Sequence, residues 1–380
     1  MHIGIVSPEF PPDIGGVETY AYEYSKALAE LGHRVTVFTA ANKKGHAYTE
    51  DFEVLPVLRI RRRLDSPTLC HYTVDAWHVM NAAYSWLTVD ASCPVVVSVH
   101  GNDFLRPYLN TGRPDLSRFD LLWRFKDLLE GLDKRIGRFI TRRNLQHTIA
   151  RANHILTNSR YTEQVFLKQF PDCQGKTTPA MVGLGHDFIQ IQHVDTRSTC
   201  PELITISRLS EPRKNIDLVL HALARLKDDY QFHYTIIGDG HLRQQLEALC
   251  KQLGLENKVQ FRGFLERKQL ISALCTSDLF ILTSSILPGS HEGFGIVYLE
   301  AAACGTPSLA ARLAGAAEAV KDGVSGFFVD TAEVDSIEAA LKQFLNTSIS
   351  FEPATCRAFA RSFEWREIAK TTLPYYTTPQ

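Results

Sequence analysis

The chain of 380 residues is 44% hydrophobic and 22% charged, which describes a globular protein with a sizeable core and enough length for two domains. A formal net charge of -1 at pH 7 excludes a whole-molecule attraction to nucleic acid. The eight cysteines are scattered singly, so no CxxC pair or zinc knuckle can be written, and small buried thiols in a reducing compartment are expected.

The chain opens on an apolar strand, MHIGIVSPEF, without a charged-then-apolar leader. No run approaches the roughly 20 apolar residues of a membrane span, so a cytoplasmic protein is expected. The spacing predicts strands over His2–Ser7, Arg34–Ala40, Glu53–Ile60, Pro94–Gly101 and His154–Ser159, and a helix over Val17–Leu31 closed by Gly32. Gly183–Pro201 has little periodicity and several turn formers, and reads as a hinge. Beyond it come strands Glu202–Leu209, His233–Gly238, Lys258–Phe264, Asp278–Ser284, Pro307–Ala311 and Gly326–Asp330. Helices Asn215–Lys227, His241–Leu253, Arg267–Thr276 and Ile296–Cys304 alternate with them. Ala354–Tyr376 closes the chain as a helical stretch with aromatic anchors Phe359, Phe363 and Trp365. Such alternation argues parallel sheets covered on both faces. The expected architecture is α/β, two Rossmann-like doubly wound domains, residues 1–185 and 186–359, facing an interdomain cleft, with a closing helix at about 360–380 packed back on the first.

Such sheets bind ligands at the carboxyl ends of their strands, where helix amino termini also point. Gly15 and Gly16 follow the first strand and open a helix, so their amides can approach an anion; a plain strand-to-helix turn would use the same pair. Arg208 leaves the first strand of the second half, and Lys214 sits beside the next helix start. Two cations and a helix amino terminus suit a pyrophosphate, the alternative being a solvated basic loop. Arg213 reads as a surface charge. His291 to Pro307, HEGFGIVYLEAAACGTP, is the most specific stretch. Glu300 lies in an otherwise apolar helix, where a carboxylate needs a ligand hydroxyl or a buried donor as partner. The Gly293-Phe294-Gly295 turn before that helix exposes successive amides as an anion or hydroxyl cradle. His100 ends an apolar strand and is followed by Gly101, a position suited to a cleft residue.

SRL…RKN followed by EGFGIVYLEAAACGTP resembles glycosyltransferase family 4, a group of retaining enzymes with the two-domain GT-B fold. GGVE, VHGND, TNSRYT, IIGDG, FRGF and GAAEAVKDGVSGFFVD extend the resemblance over most of the chain. It implies that Arg208 and Lys214 hold the donor diphosphate as leaving group and that Glu300 binds the ribose hydroxyls. Glu292, with the amides of Gly293, Phe294 and Gly295, would hold the transferred sugar. Ile296 and Val297 would offer amides to the phosphate, Gly16 would approach it from the other domain, Gly263-Phe264-Leu265 would lie beside the base, and His100 would touch the sugar. The implied activity is metal-independent, retaining transfer of a hexosyl group from a UDP-sugar, such as UDP-glucose, to a glycan or lipid-linked acceptor in polysaccharide biosynthesis. No Asp-x-Asp pair stands at a strand end, so no metal or other cofactor is expected, Arg208 and Lys214 replacing the metal's charge. A GT-B nucleotide-sugar epimerase and a catalytically silent nucleotide-sugar-binding partner are the alternative readings.

Two departures stand out. SSILPGSHEGFG is longer than the shortest family versions, so His291 and Pro288 are expected to shape the sugar pocket. GLGHDF replaces an Asn-Gly-Val-Asp-like turn, leaving His186 and Asp187 as hinge or cleft residues. Between Arg113 and Arg151, ten Lys and Arg stand against five acids, interleaved with Leu121, Leu122, Trp123, Phe125, Phe139 and Ile140. The segment fits an interfacial amphipathic helix on an anionic membrane, placing the protein peripherally on its inner face, and equally a core-packed helix pair with a solvated basic face.

Overall fold

The computed structural model describes residues 1–12, 15–40, 49–58, 62–107, 138–191 and 200–377. They form two compact units, Met1–Gly183 with Trp365–Gln380, and Leu184–Glu364.

The first unit holds a seven-stranded sheet in the order β3-β2-β1-β4-β5-β6-β7, parallel throughout. Its strands are β1 (His2–Val6), β2 (Arg34–Ala40), β3 (Glu53–Leu58), β4 (Ala76–Val79), β5 (Val95–Val99), β6 (His154–Thr157) and β7 (Thr177–Pro179). β1, β4 and β5 are almost wholly buried, as continuous apolar runs in a doubly covered parallel sheet should be. The sequence reading passed over β4 and β7. β4 is four residues, AWHV, with His78 in its middle, and β7 is three, TTP, so neither shows a run long enough to stand out.

Helix α1 (Gly16–Glu30) packs on this sheet and receives the end of the chain. Trp365 stands edge-on to Tyr20 and Tyr24 of α1, at centroid distances of 4.9 and 6.1 Å. The Tyr24 hydroxyl bonds Thr372 and, at 2.9 Å, the Tyr376 hydroxyl, which in turn reaches His78 Nδ1 at 2.6 Å. Buried polar groups tied in series in this way are satisfied together.

The second unit holds a six-stranded parallel sheet, order β10-β9-β8-β11-β12-β13. Its strands are β8 (Glu202–Ile206), β9 (His233–Ile237), β10 (Val259–Gly263), β11 (Leu279–Leu282), β12 (Ser308–Ala311) and β13 (Gly326–Val329). Helix α2 (Ile216–Leu226) buries Ile216, Val219, Leu220, Leu223 and Leu226, a single stripe at helical spacing. Helices α3 (Arg267–Cys275) and α4 (Ile296–Ala303) frame the site described below.

The chain runs from β8 outward to β9 and β10, then returns to the other side of β8 for β11. The carboxyl ends of β8 and β11 are therefore neighbours whose following loops diverge, the switch point at which open α/β sheets bind ligands. In the first sheet the corresponding reversal lies between β1 and β4.

Candidate functional site

The candidate residues in the second unit stand at strand ends, in the loops after them, or, for Glu300, in the helix that follows. After β8, Pro212–Lys214 forms a tight 3-10 turn and Asn215 adopts the left-handed conformation, φ 55°, to start α2. The Asn215 side-chain amide donates to the Thr283 carbonyl and to Ser285 Oγ, both at 2.6 Å, and the Ser285 amide donates to the Arg213 carbonyl at 2.7 Å. These bonds stitch the loop after β8 to the loop after β11.

The stitching brings charges together. Lys214 Nζ lies 2.6 Å from Glu292 Oε2, Arg213 Nη1 lies 3.0 Å from the same oxygen, and the Ser284 hydroxyl donates to it at 3.1 Å. Burial pushes the Glu292 carboxyl up, but the charges and hydrogen bonds of Lys214 and Arg213 outweigh it and hold the pKa down at about 2. His291, buried alongside, is brought down to about 4 by burial and by Arg213, so it is neutral at physiological pH.

Arg213 overturns the surface-charge expectation. Its side chain is only 6% exposed, and its other terminal nitrogen, Nη2, pairs with Glu211 Oε2 at 2.6 Å. Arg208, by contrast, is 68% exposed and pairs through Nη2 with Glu211 Oε1 at 3.1 Å. Sequence reasoning did not single out Glu211 and Ser284, and dismissed Arg213. The one signal available for Arg213 was its place next to Lys214, and a turn can send adjacent side chains to opposite fates.

Glu292 lies just ahead of α4, so Lys214 is held at that helix's amino end. The first amides of any helix, here including Ile296 and Val297, lack intrahelical acceptors and carry its positive pole. Gly295 caps α4 at φ 89°, a conformation that favours glycine. Phe294 is buried and packs on Phe363 at 5.9 Å, which fixes the turn from below.

Glu300, inside α4, is 6% exposed at its side chain and meets Arg267 Nη1 at 3.1 Å. Burial raises its pKa, and the Arg267 guanidinium opposes that without overcoming it. The protein donor that meets Glu300 is thus Arg267, on α3, a half-buried residue that the sequence motif did not contain. Arg267 also lies over the Phe188 ring at 4.6 Å and pairs with Asp187 at 3.6 Å, which gives Asp187 a place beside the Glu300 helix. Of the remaining second-unit candidates, Gly263 ends β10, Phe264 is 57% exposed and Leu265 is buried.

In the first unit, Gly15 caps α1 and Gly16 begins it. A Cβ placed on Gly16 would meet nothing within 4 Å, so packing does not require glycine there. His100 follows β5, with its ring edge-on to Tyr20 at 4.8 Å. Its amide donates to Asp103 at 2.9 Å, while Nε2 is buried with no partner among the described residues. Burial lowers its pKa against the opposing pull of Asp103 and the Met80 carbonyl, leaving a neutral imidazole able to share a hydrogen bond with a hydroxyl. The basic segment from 113 to 137 lies outside the described residues. Residues 138–148 are helical, with Arg138, Phe139, Ile140, Arg142 and Arg143 exposed.

Residues 14–178 match the family described as Glycosyltransferase Family 4, and residues 189–361 match Glycosyl transferases group 1. The chain is 25% identical over 365 residues, 91% of its length and 89% of the relative's, to a GDP-mannose-dependent monoacylated alpha-(1-6)-phosphatidylinositol monomannoside mannosyltransferase of Corynebacterium glutamicum. It is 25% identical over 409 residues, 96% of its length and 85% of the relative's, to a D-inositol 3-phosphate glycosyltransferase of Geodermatophilus obscurus. Among solved structures, Anabaena HepE in complex with UDP-glucose is similar at a TM-score of 0.70 and 19% identity, covering 98% of each chain. Sucrose-phosphate synthase of Thermosynechococcus elongatus is similar at a TM-score of 0.72 and 18% identity, covering 99% of this chain and 98% of the other.

Proposed function

Because the chain belongs to glycosyltransferase family 4 and has the GT-B fold of two Rossmann-like domains, we propose that it moves a hexosyl group from a nucleotide sugar, a UDP-sugar such as UDP-glucose, to a glycan or lipid-linked acceptor, with retention and without a metal ion. The observation that carries the proposal is Lys214 Nζ held 2.6 Å from Glu292 at the amino end of α4, on the switch point of the second sheet. A diphosphate seated there meets a cation and helix amides, and a sugar hydroxyl meets a carboxylate. In the proposed step the bond from the anomeric carbon to the β-phosphate oxygen breaks while the acceptor oxygen bonds to the same face. The acceptor proton passes to the departing phosphate. The family resemblance assigns His100 to the transferred sugar and Gly16 to the diphosphate, and the proposal keeps both roles.

Complexes of Anabaena HepE with UDP and UDP-glucose support a uridine donor, and the Corynebacterium relative is GDP-mannose-dependent. A thermal-shift series with UDP, GDP, ADP and their sugars separates the bases. A ligand at 100 times its Kd stabilises by about 2.7 kcal/mol, enough to raise the midpoint by several degrees. UDP and UDP-glucose are expected to give the largest shift, and transfer to acceptor is expected to persist in EDTA. No shift with any nucleotide, or a strict divalent-metal requirement, contradicts the proposal. Turnover of the donor at full rate without an acceptor would instead identify an epimerase or hydrolase.

Among the described residues no helix is long and apolar enough to cross a membrane. We propose peripheral contact with an anionic membrane surface through the basic segment around residues 113–151, supported by the exposed Phe139 and Ile140, 67% and 53% accessible, beside exposed Arg138, Arg142 and Arg143. Each basic side chain near such a surface adds about 1 kcal/mol. Replacing these three arginines by glutamine is expected to weaken co-sedimentation with anionic vesicles at least tenfold. Equal binding by the variant and the parent would exclude the contact.

A further inference from the structure

The charged groups of the second-unit site form one line of alternating sign: Arg208, Glu211, Arg213, Glu292, Lys214, with links of 3.1, 2.6, 3.0 and 2.6 Å. Both ends of the line are cations, and only its centre, Arg213, touches both carboxylates. Three donors converge on Glu292 Oε2, while among the described residues none reaches Oε1.

This arrangement sets a conflict for the proposed reaction, on which the following inference rests. Lys214 cannot serve an incoming diphosphate fully while it is the counter-ion of a buried carboxylate. Drawing it away from Glu292 would, without a second counter-ion, leave an uncompensated charge in the interior, a strongly unfavourable state. The other titratable groups facing Glu292 offer no relief, because His291 is neutral at physiological pH and Tyr298 is a buried phenol whose hydroxyl donates to the Leu282 carbonyl at 2.5 Å.

We propose that Arg213 is a positioning residue that resolves this conflict: a fixed counter-ion bridging Glu211 and Glu292, it releases Lys214 and Arg208 to the donor diphosphate and keeps Glu292 charged, with Oε1 available to a sugar hydroxyl. Its burial suits this task. Arg213 is held by both carboxylates and by the backbone bond from Ser285, so it stays when the end cations move.

The test is a double-mutant cycle read by calorimetric titration with UDP, or with GDP if the thermal-shift series favours guanine. Arg213→Gln is expected to weaken UDP binding about tenfold, because Lys214 is then retained by Glu292. The double variant Arg213→Gln/Glu292→Gln, with no carboxylate left to compete for Lys214, is expected to recover wild-type affinity within about twofold. Arg213→Lys, which can reach one carboxylate but not bridge two, is expected to fall between. A residue that contacts the diphosphate itself, or one that only supports the fold, predicts no recovery in the double variant. Wild-type affinity in Arg213→Gln, or failure of the double variant to recover, overturns the inference. If Arg213→Gln does not fold, Arg213→Lys and the double variant, in which both partners of the pair are removed together, carry the same reading. Absence of binding of UDP and GDP to the wild-type protein would instead remove the donor assignment beneath it.

Discussion

Replacing Lys214 by alanine is expected to lower transfer about 100- to 1000-fold, roughly 3–4 kcal/mol of transition-state stabilisation, in a protein that remains folded. Charge on the leaving diphosphate grows as the glycosidic bond breaks, and a fixed ammonium group at a helix amino end is worth more to that growing charge than to the ground state. Lys214 suits such a role because its side chain is only 11% exposed and its ammonium is already held, 2.6 Å from Glu292, at the amino end of α4. The fold should survive because Glu292 keeps Arg213 and Ser284 as partners. The checks are initial rates with UDP-glucose and acceptor, with thermal melts of both proteins. Full transfer by the alanine variant would remove Lys214 from the site.

Glu292→Gln is expected to abolish transfer and also to destabilise the protein, whereas Glu300→Gln should not destabilise it. Glu292 titrates near 2 in the folded chain against an ordinary value of 4.5, so its ionised form stabilises the fold. That contribution, about 3 kcal/mol, is fully present above pH 4.5 and is lost as the pH falls from there towards 2. Glutamine removes the charge and leaves Arg213 and Lys214 facing each other, so the thermal midpoint at pH 7 should fall by on the order of 10 °C. The gap between variant and parent should narrow as the pH is taken below 4.5.

Glu300 has the opposite sign. Its folded pKa is raised, so its contribution is present at low pH and is lost as pH rises through the folded value, and at pH 7 the ionised group lowers stability. Glutamine there should leave the midpoint unchanged or higher while weakening nucleotide binding, since the proposed partner of the ribose hydroxyls is altered. Equal destabilisation by the two substitutions, measured in parallel melts from pH 7 to pH 4, would show that these carboxylates do not differ in the way their surroundings require.

Much of this was legible in the chain. Apolar runs separated by amphipathic helices dictate parallel sheets, because a strand buried on both faces has no polar face to show. That pattern located β8, β9, β10, β11, β12 and β13, and so placed Lys214 and Glu292 just beyond strand ends. The single carboxylate in the apolar helix α4 demanded a ligand hydroxyl or a buried donor as partner on energetic grounds alone. Local sequence therefore determined which residues stand at the carboxyl end of the second sheet.

The pairing of those residues belonged to the tertiary structure. Arg208 and Arg213 look alike in sequence, yet a 3-10 turn and the left-handed Asn215 bury one between two carboxylates and leave the other in water. Arg267 finds Glu300 across 33 positions because α3 and α4 lie side by side, and no local pattern encodes that distance. The closing stretch, expected as one helix over Ala354–Tyr376, breaks between Pro353–Arg361 and Trp365–Thr372: Phe363, in the break, packs on Phe294 of the second unit, and Trp365 packs on Tyr20 of the first. Periodicity records only whether a side chain is buried. Which charge or ring it meets is decided by strand order and loop stitching, and these bring together groups far apart in the chain.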